Sequence, residues 1–165
     1  MEDVPPAQPE RGRAIDLAYR ALSARDRTVA ELRALLERKR VEPEAIEAAV
    51  LTLTDAGYLD DARYAHRFAE DKRSLERWGS ERIARDLRRR GVAPGLVEAI
   101  VSEHDRDSEL QHALALLLAR VPDPPADDRD RDHAWALLIR RGYEPELAYE
   151  AVRVHERRAH SRRAA

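Results

Sequence analysis

Cysteine is absent from the 165 residues, which excludes disulfides and thiolate metal sites and makes a cytosolic setting the simpler expectation. There are only 6 glycines, against an abundance of alanine, leucine, arginine and glutamate, so helix is favoured over sheet. No stretch alternates apolar and polar residues over a useful strand length. No apolar run approaches a membrane span, and Met1 to Arg13 carries prolines and charges where a targeting signal would be apolar. A Gly-rich phosphate loop is missing. His66, His104, His112, His133, His155 and His160 show neither metal-ligand spacing nor a nucleophile arrangement with serine or threonine. An enzyme is therefore not expected, and neither is a cofactor or a metal.

What is present is a repeat. Pro43, Pro94 and Pro145 lie at intervals of 51 residues. The same offset carries Leu36 to Leu87 to Leu138, Val50 to Val101 to Val152, Arg38 to Arg89 to Arg140, and Gly91 to Gly142. An apolar face, a basic position and a turn element recur together, which marks a tandem helical repeat. A unit of this size is only marginally stable alone, so the copies are expected to bury apolar surface against neighbours.

The predicted fold is all-α, with three tandem three-helix repeats forming a curved, elongated solenoid. Residues 1–13 read as a disordered N-terminal tail, 14–58 as the first repeat, 59–105 as the second and 106–158 as the third. The third contains an acidic, proline-rich loop at 122–132, and residues 159–165 read as a C-terminal tail. Thr28 is placed to cap a helix, with Glu31 completing a capping box. Arg40 stands where the later repeats have Gly91 and Gly142, which predicts a differently built turn in repeat one.

Charge is uneven although the net is −2: residues 62–91 hold ten Lys/Arg against five Asp/Glu, and residues 105–132 hold four against eight. On a helix from Ser80 to Arg90, a step of about 100° per residue puts Arg82, Arg85 and Arg89 on one face and Ile83 and Leu87 on another. Lys72, Arg73 and Arg77 extend this basic surface, which could meet nucleic-acid phosphates or an acidic protein groove, or be a solvated helix face. The helix–glycine–helix layout resembles a helix-turn-helix, but Glu44 to Leu53 and Gly95 to Glu103 hold no basic or amide side chain, and asparagine is absent throughout. Base reading is thereby disfavoured. Trp78 and Trp135 read as core wedges more readily than as base-stacking platforms.

Gly57-x-Leu59-Asp60-Asp61-x2-Tyr64-Ala65-x2-Phe68 is the most distinctive local motif. Its adjacent carboxylates read as helix caps and not as an acid/base pair. Together with Arg25-Asp26-Arg27-Thr28-x2-Glu31-Leu32, Gly79-x3-Ile83-x3-Leu87-x2-Arg90-Gly91-Val92 and Leu138-x-Arg140-Arg141-Gly142-Tyr143, it resembles the RecX family over residues 14–156. That resemblance implies a bacterial cytosolic regulator without catalytic residues. Its implied partner is the RecA recombinase filament on single-stranded DNA, with suppression of ATPase and strand exchange in recombination and repair. The chain is expected to act as a monomer, with at most weak non-specific DNA contact and no membrane association. The rival expectations are a DNA-binding protein acting through phosphate contacts and an adaptor for another protein.

Overall fold

A computed structural model describes residues 8–163, with side chains as far as residue 158. Among the described residues there are nine helices and no strand. The first three are α1 (Gln8–Ala24), α2 (Val29–Arg38) and α3 (Pro43–Asp55). The next three are α4 (Asp61–Glu76), α5 (Ser80–Arg89) and α6 (Pro94–Ser102). The last are α7 (Arg106–Arg120), α8 (Asp128–Arg141) and α9 (Pro145–Arg163). The three prolines spaced by 51 residues each open the third helix of a repeat, where a missing N–H costs nothing.

Three boundaries differ from the sequence expectation. Residues 8–13 are helical because their charged side chains are tethered: Arg11 donates to Thr52 Oγ1 at 3.2 Å and Arg13 to the Lys39 carbonyl at 3.1 Å. Residues 1–7 of the expected tail lie outside the described residues. The acidic loop ends at Asp127, whose Oδ1 accepts from the Asp130 N–H at 2.9 Å and starts α8, so residues 128–132 are helix. Negative side chains suit a helix start, because the free N–H groups there carry partial positive charge. The segment 159–163, read as a tail, continues α9, since neither proline nor glycine follows Pro145 to stop it; residues 164 and 165 lie outside the described residues.

Contacts divide the chain into two compact units, one holding residues up to His66 with Leu87–Leu96, the other Arg67–Asp86 with residues from Val97 onward. In the first unit, Ala14 and Ala18 of α1 pack on Leu32 and Leu36 of α2 and on Ile46, Ala49 and Leu53 of α3. Alanine along α1 lets the backbones approach closely, and each fully buried leucine contributes about 2 kcal/mol. In the second unit, Leu114 and Leu117 of α7 meet Leu138 of α8 and Leu147, Ala148 and Ala151 of α9.

The turn after each second helix is the same in all three repeats. Val41 donates to the Leu36 carbonyl at 3.2 Å, Val92 to Leu87 at 3.1 Å and Tyr143 to Leu138 at 3.2 Å. The residue before each donor is left-handed: Arg40 at φ 57°, Gly91 at φ 81° and Gly142 at φ 86°. The expectation of a different turn at Arg40 is therefore corrected: the hydrogen bonds impose one conformation, and arginine adopts it at a cost of about 1–2 kcal/mol. Glycine is required elsewhere for a second reason. A Cβ on Gly91 would lie 2.3 Å from Ala30 Cβ, and one on Gly142 would lie 2.2 Å from Arg82 Cβ.

Those close approaches belong to a repeated joint. In the first unit the Thr28 hydroxyl donates to the Arg90 carbonyl at 2.6 Å, and the Val29 N–H donates to Asp61 Oδ1 at 2.8 Å. In the second unit, 51 residues on, the Gly79 N–H donates to the Arg141 carbonyl at 2.8 Å and the Ser80 N–H to Glu109 Oε1 at 2.7 Å. Donors at the start of one repeat's second helix thus find acceptors in the following repeat.

Candidate partner-contact surface

The motif around Asp60 and Asp61 is structural. Asp60 Oδ1 accepts from the Arg63 N–H at 3.0 Å and caps α4, as its position predicts. Asp61 instead turns to α2; partial burial pushes its carboxyl up from the ordinary value, opposed by the Val29 N–H bond. Leu59 and Ala65 are buried, whereas Tyr64 and Phe68 are half-buried. The Tyr64 hydroxyl accepts from Arg90 Nη1 at 3.1 Å, and the same guanidinium pairs with Glu31 at 2.9 Å. Glu31 therefore does not close a capping box: Thr28 Oγ1 accepts from the Glu31 N–H at 3.1 Å, but the Glu31 carboxylate goes to Arg90 and Arg25. Gly79 is fixed by space, since a Cβ there would stand 2.3 Å from the Gly142 carbonyl oxygen. Gly57 faces open space and supplies only its positive φ of 74°.

The six basic residues separate into different environments. Arg73 is not a surface group: it is buried, and desolvation lowers its pKa against the opposing pull of Glu109 and Glu103. A helical wheel cannot show this, because the groups around Arg73 come from other elements: the Ile100 carbonyl of α6 lies 3.5 Å from Nη2, and Glu109 of α7 is near enough to act on its charge. Arg82 is also committed, with its guanidinium 3.9 Å over the Trp78 ring and Nη1 donating to the Arg140 carbonyl at 3.1 Å. Lys72 pairs with Glu76 and sits 4.7 Å over the same indole. Arg77 and Arg85 are exposed in the second unit, and Arg89 is exposed in the first. Tyr143 donates to the Arg77 carbonyl at 3.1 Å, with Arg77 held at φ 55°; burial raises the Tyr143 pKa.

Trp78 is the wedge the sequence suggests, 7% exposed and packed edge-on to Phe68. Trp135 is not a wedge: it is 39% exposed and lines a cavity with Tyr149. Nothing local in the sequence separates the two tryptophans, although the helix stripe Asp128, Asp132, Trp135 does mark a polar face. Among the described residues, no group of three or more His, Cys, Asp and Glu could hold a metal ion, and no helix is long and apolar enough to cross a membrane.

Tandem three-helix repeats joined through second-helix termini, with exposed arginines on the middle repeat, define the class as an all-α helical repeat protein. Comparison with known proteins gives the family. The model of the first three-helix domain of RecX matches residues 14–53, and that of the second matches residues 60–100. Regulatory protein RecX of Trichlorobacter lovleyi is 39% identical over 134 residues, 79% of this chain and 87% of that one. The Deinococcus radiodurans protein of the same name is 38% identical over 136 residues, 82% of this chain and 65% of that one, so this chain spans about two thirds of its length. The crystal structure of RecX from Lactobacillus salivarius superimposes with a TM-score of 0.81 at 15% identity, covering 91% of this chain and 99% of that chain, which shows the fold. The chain belongs to the RecX family.

Proposed function

We propose that this chain is a cytoplasmic regulator of the RecA recombinase that binds the RecA filament on single-stranded DNA and lowers its ATPase and strand-exchange activity by binding, not by catalysis. The observation that carries the reading is family membership, at 39% identity to a regulatory protein RecX over 87% of its length. The +5 charge of residues 62–91 gives the physical basis for contact with an acidic groove or with phosphates. Arg77 and Arg85 are the contacts in the second unit, and Arg89 is a separate contact in the first; Arg73 and Arg82 serve the fold.

Charge reversal at Arg77 and Arg85 is expected to weaken suppression of RecA ATPase about three- to tenfold, with an unchanged melting temperature. Arg82→Glu, by contrast, is expected to lower the melting temperature, because it uncovers Trp78. Equal suppression by the Arg77/Arg85 variant and the parent across a salt series would remove these residues from the interface. Tight, steeply salt-dependent binding to DNA alone, without RecA, would replace the reading with phosphate-directed DNA binding.

A further inference from the structure

The second unit contains a cavity of about 720 Å³ between α8 and α9. Asp128, Asp132 and Trp135 reach it from one face of α8, at spacings of four and three residues, and Tyr149, Arg153 and Glu156 reach it from α9. The Trp135 ring is held in place, since Nε1 donates to the Pro145 carbonyl at 3.3 Å, yet the side chain stays 39% exposed. The positive charges of the wall are answered within it. Arg131 pairs with Asp128 and with Glu156. Arg153 donates to the Tyr149 hydroxyl at 3.0 Å, lies 5.7 Å over that ring and approaches Glu156 at 3.9 Å. The Asp132 carboxylate is exposed and has no ion-pair or hydrogen-bond partner among the described residues. The wall is therefore net negative, with three carboxylates (Asp128, Asp132, Glu156) against two guanidiniums (Arg131, Arg153), and such a field repels phosphate and attracts a cation.

The same unit shows what an indole accepts here. Trp78 is covered by its own Arg82 at 3.9 Å, while Trp135 presents its ring to a cavity beside an unanswered carboxylate. We propose that this cavity is a binding site for an arginine side chain of a protein partner, stacked on Trp135 and hydrogen-bonded to Asp132. Arginine fits better than lysine because a planar guanidinium stacks on a ring face while offering N–H groups in its own plane. A cavity of this size also leaves room for the residues flanking that arginine, which favours a peptide segment over a free small cation. The site does not rest on the RecA reading.

The test uses the whole 165-residue chain labelled with 15N, and N-acetyl-Ala-Arg-Ala-amide as the probe. A saturable shift of the Trp135 indole N–H is expected, with the Trp78 indole unmoved as an internal control. Asp132→Asn should weaken the response about two- to fivefold, and Ala-Lys-Ala should bind several-fold more weakly than Ala-Arg-Ala. Trp135→Leu should abolish saturable shifts of α8 and α9 amides while leaving the Trp78 signal native. The proposal is overturned by no saturable shift at millimolar peptide, by an equal response to Ala-Glu-Ala, by an Asp132→Asn variant that binds as the parent does, or by a short oligothymidylate that saturates Trp135 more tightly.

Discussion

The joint in the first unit and the joint in the second use different chemistry at matching positions. Position 28 is a threonine whose hydroxyl reaches the Arg90 carbonyl, while position 79 is a glycine whose backbone N–H reaches the Arg141 carbonyl. An aspartate from the first residue of α4 receives the Val29 N–H; a longer glutamate from within α7 receives that of Ser80. What is repeated is the demand of a helix N-terminus for acceptors and the close seating of the next repeat's left-handed turn. Which atom meets the demand is free to change, so the two joints respond differently to substitution.

The largest expected effect is at Gly79. Its Cβ would enter the backbone of Gly142, which cannot swing aside, so Gly79→Ala should cost about 3 kcal/mol or more by chemical denaturation. Gly57→Ala is the control: it meets only the φ penalty and should cost about 1 kcal/mol. Equal losses at the two glycines would mean that the seating of Gly142 is not what Gly79 is needed for. In the first unit the matching bond can be removed without adding bulk. Thr28→Ala should cost about 1–2 kcal/mol, from the lost cap on Glu31 and the unpaired Arg90 carbonyl, whereas Thr28→Ser keeps the hydroxyl and should lose less, only what the buried methyl contributes.

Arg40→Gly should raise stability, by up to about 1 kcal/mol, since it relieves left-handed strain where no neighbour depends on the side chain. A loss of stability would show that the Arg40 side chain has a role the turn does not explain. The smallest effect is the pH dependence at Asp61. Burial raises its folded-state pKa, so the native state binds the proton more tightly than the unfolded chain and stability falls as pH rises through that window. Asp61→Asn keeps the acceptor for Val29 and removes this dependence. Its stability relative to the parent should therefore be greatest at neutral pH and shrink on acidification from the raised value toward the ordinary carboxyl range.

Much of the architecture is legible in the spacing of a few residues. Leu36, Leu87 and Leu138 are all fully buried, and each is the acceptor of the turn that follows its helix. The turn at Arg40 is less legible because its conformation follows from hydrogen bonds and not from residue preference. The basic surface is only half legible. Helical periodicity places Arg85 and Arg89 outward correctly, but it has no information about Trp78, which lies beyond the start of α5 and draws Arg82 onto its ring, or about the α6 carbonyl over Arg73. The tail residues 8–13 mislead for a related reason: their tethers, Thr52 and the Lys39 carbonyl, are distant in sequence.

A helix completed by a later segment has a consequence for synthesis. The Thr28 hydroxyl and its acceptor on Arg90 are 62 residues apart, so at about 5–20 residues per second a ribosome makes the acceptor about 3 to 12 s after the donor. Through that interval the start of α2 is left to water and to its own local cap. The nascent chain therefore matures one repeat behind its point of elongation, and a pause within residues 61–90 would prolong the time during which the first three helices stand without their neighbour.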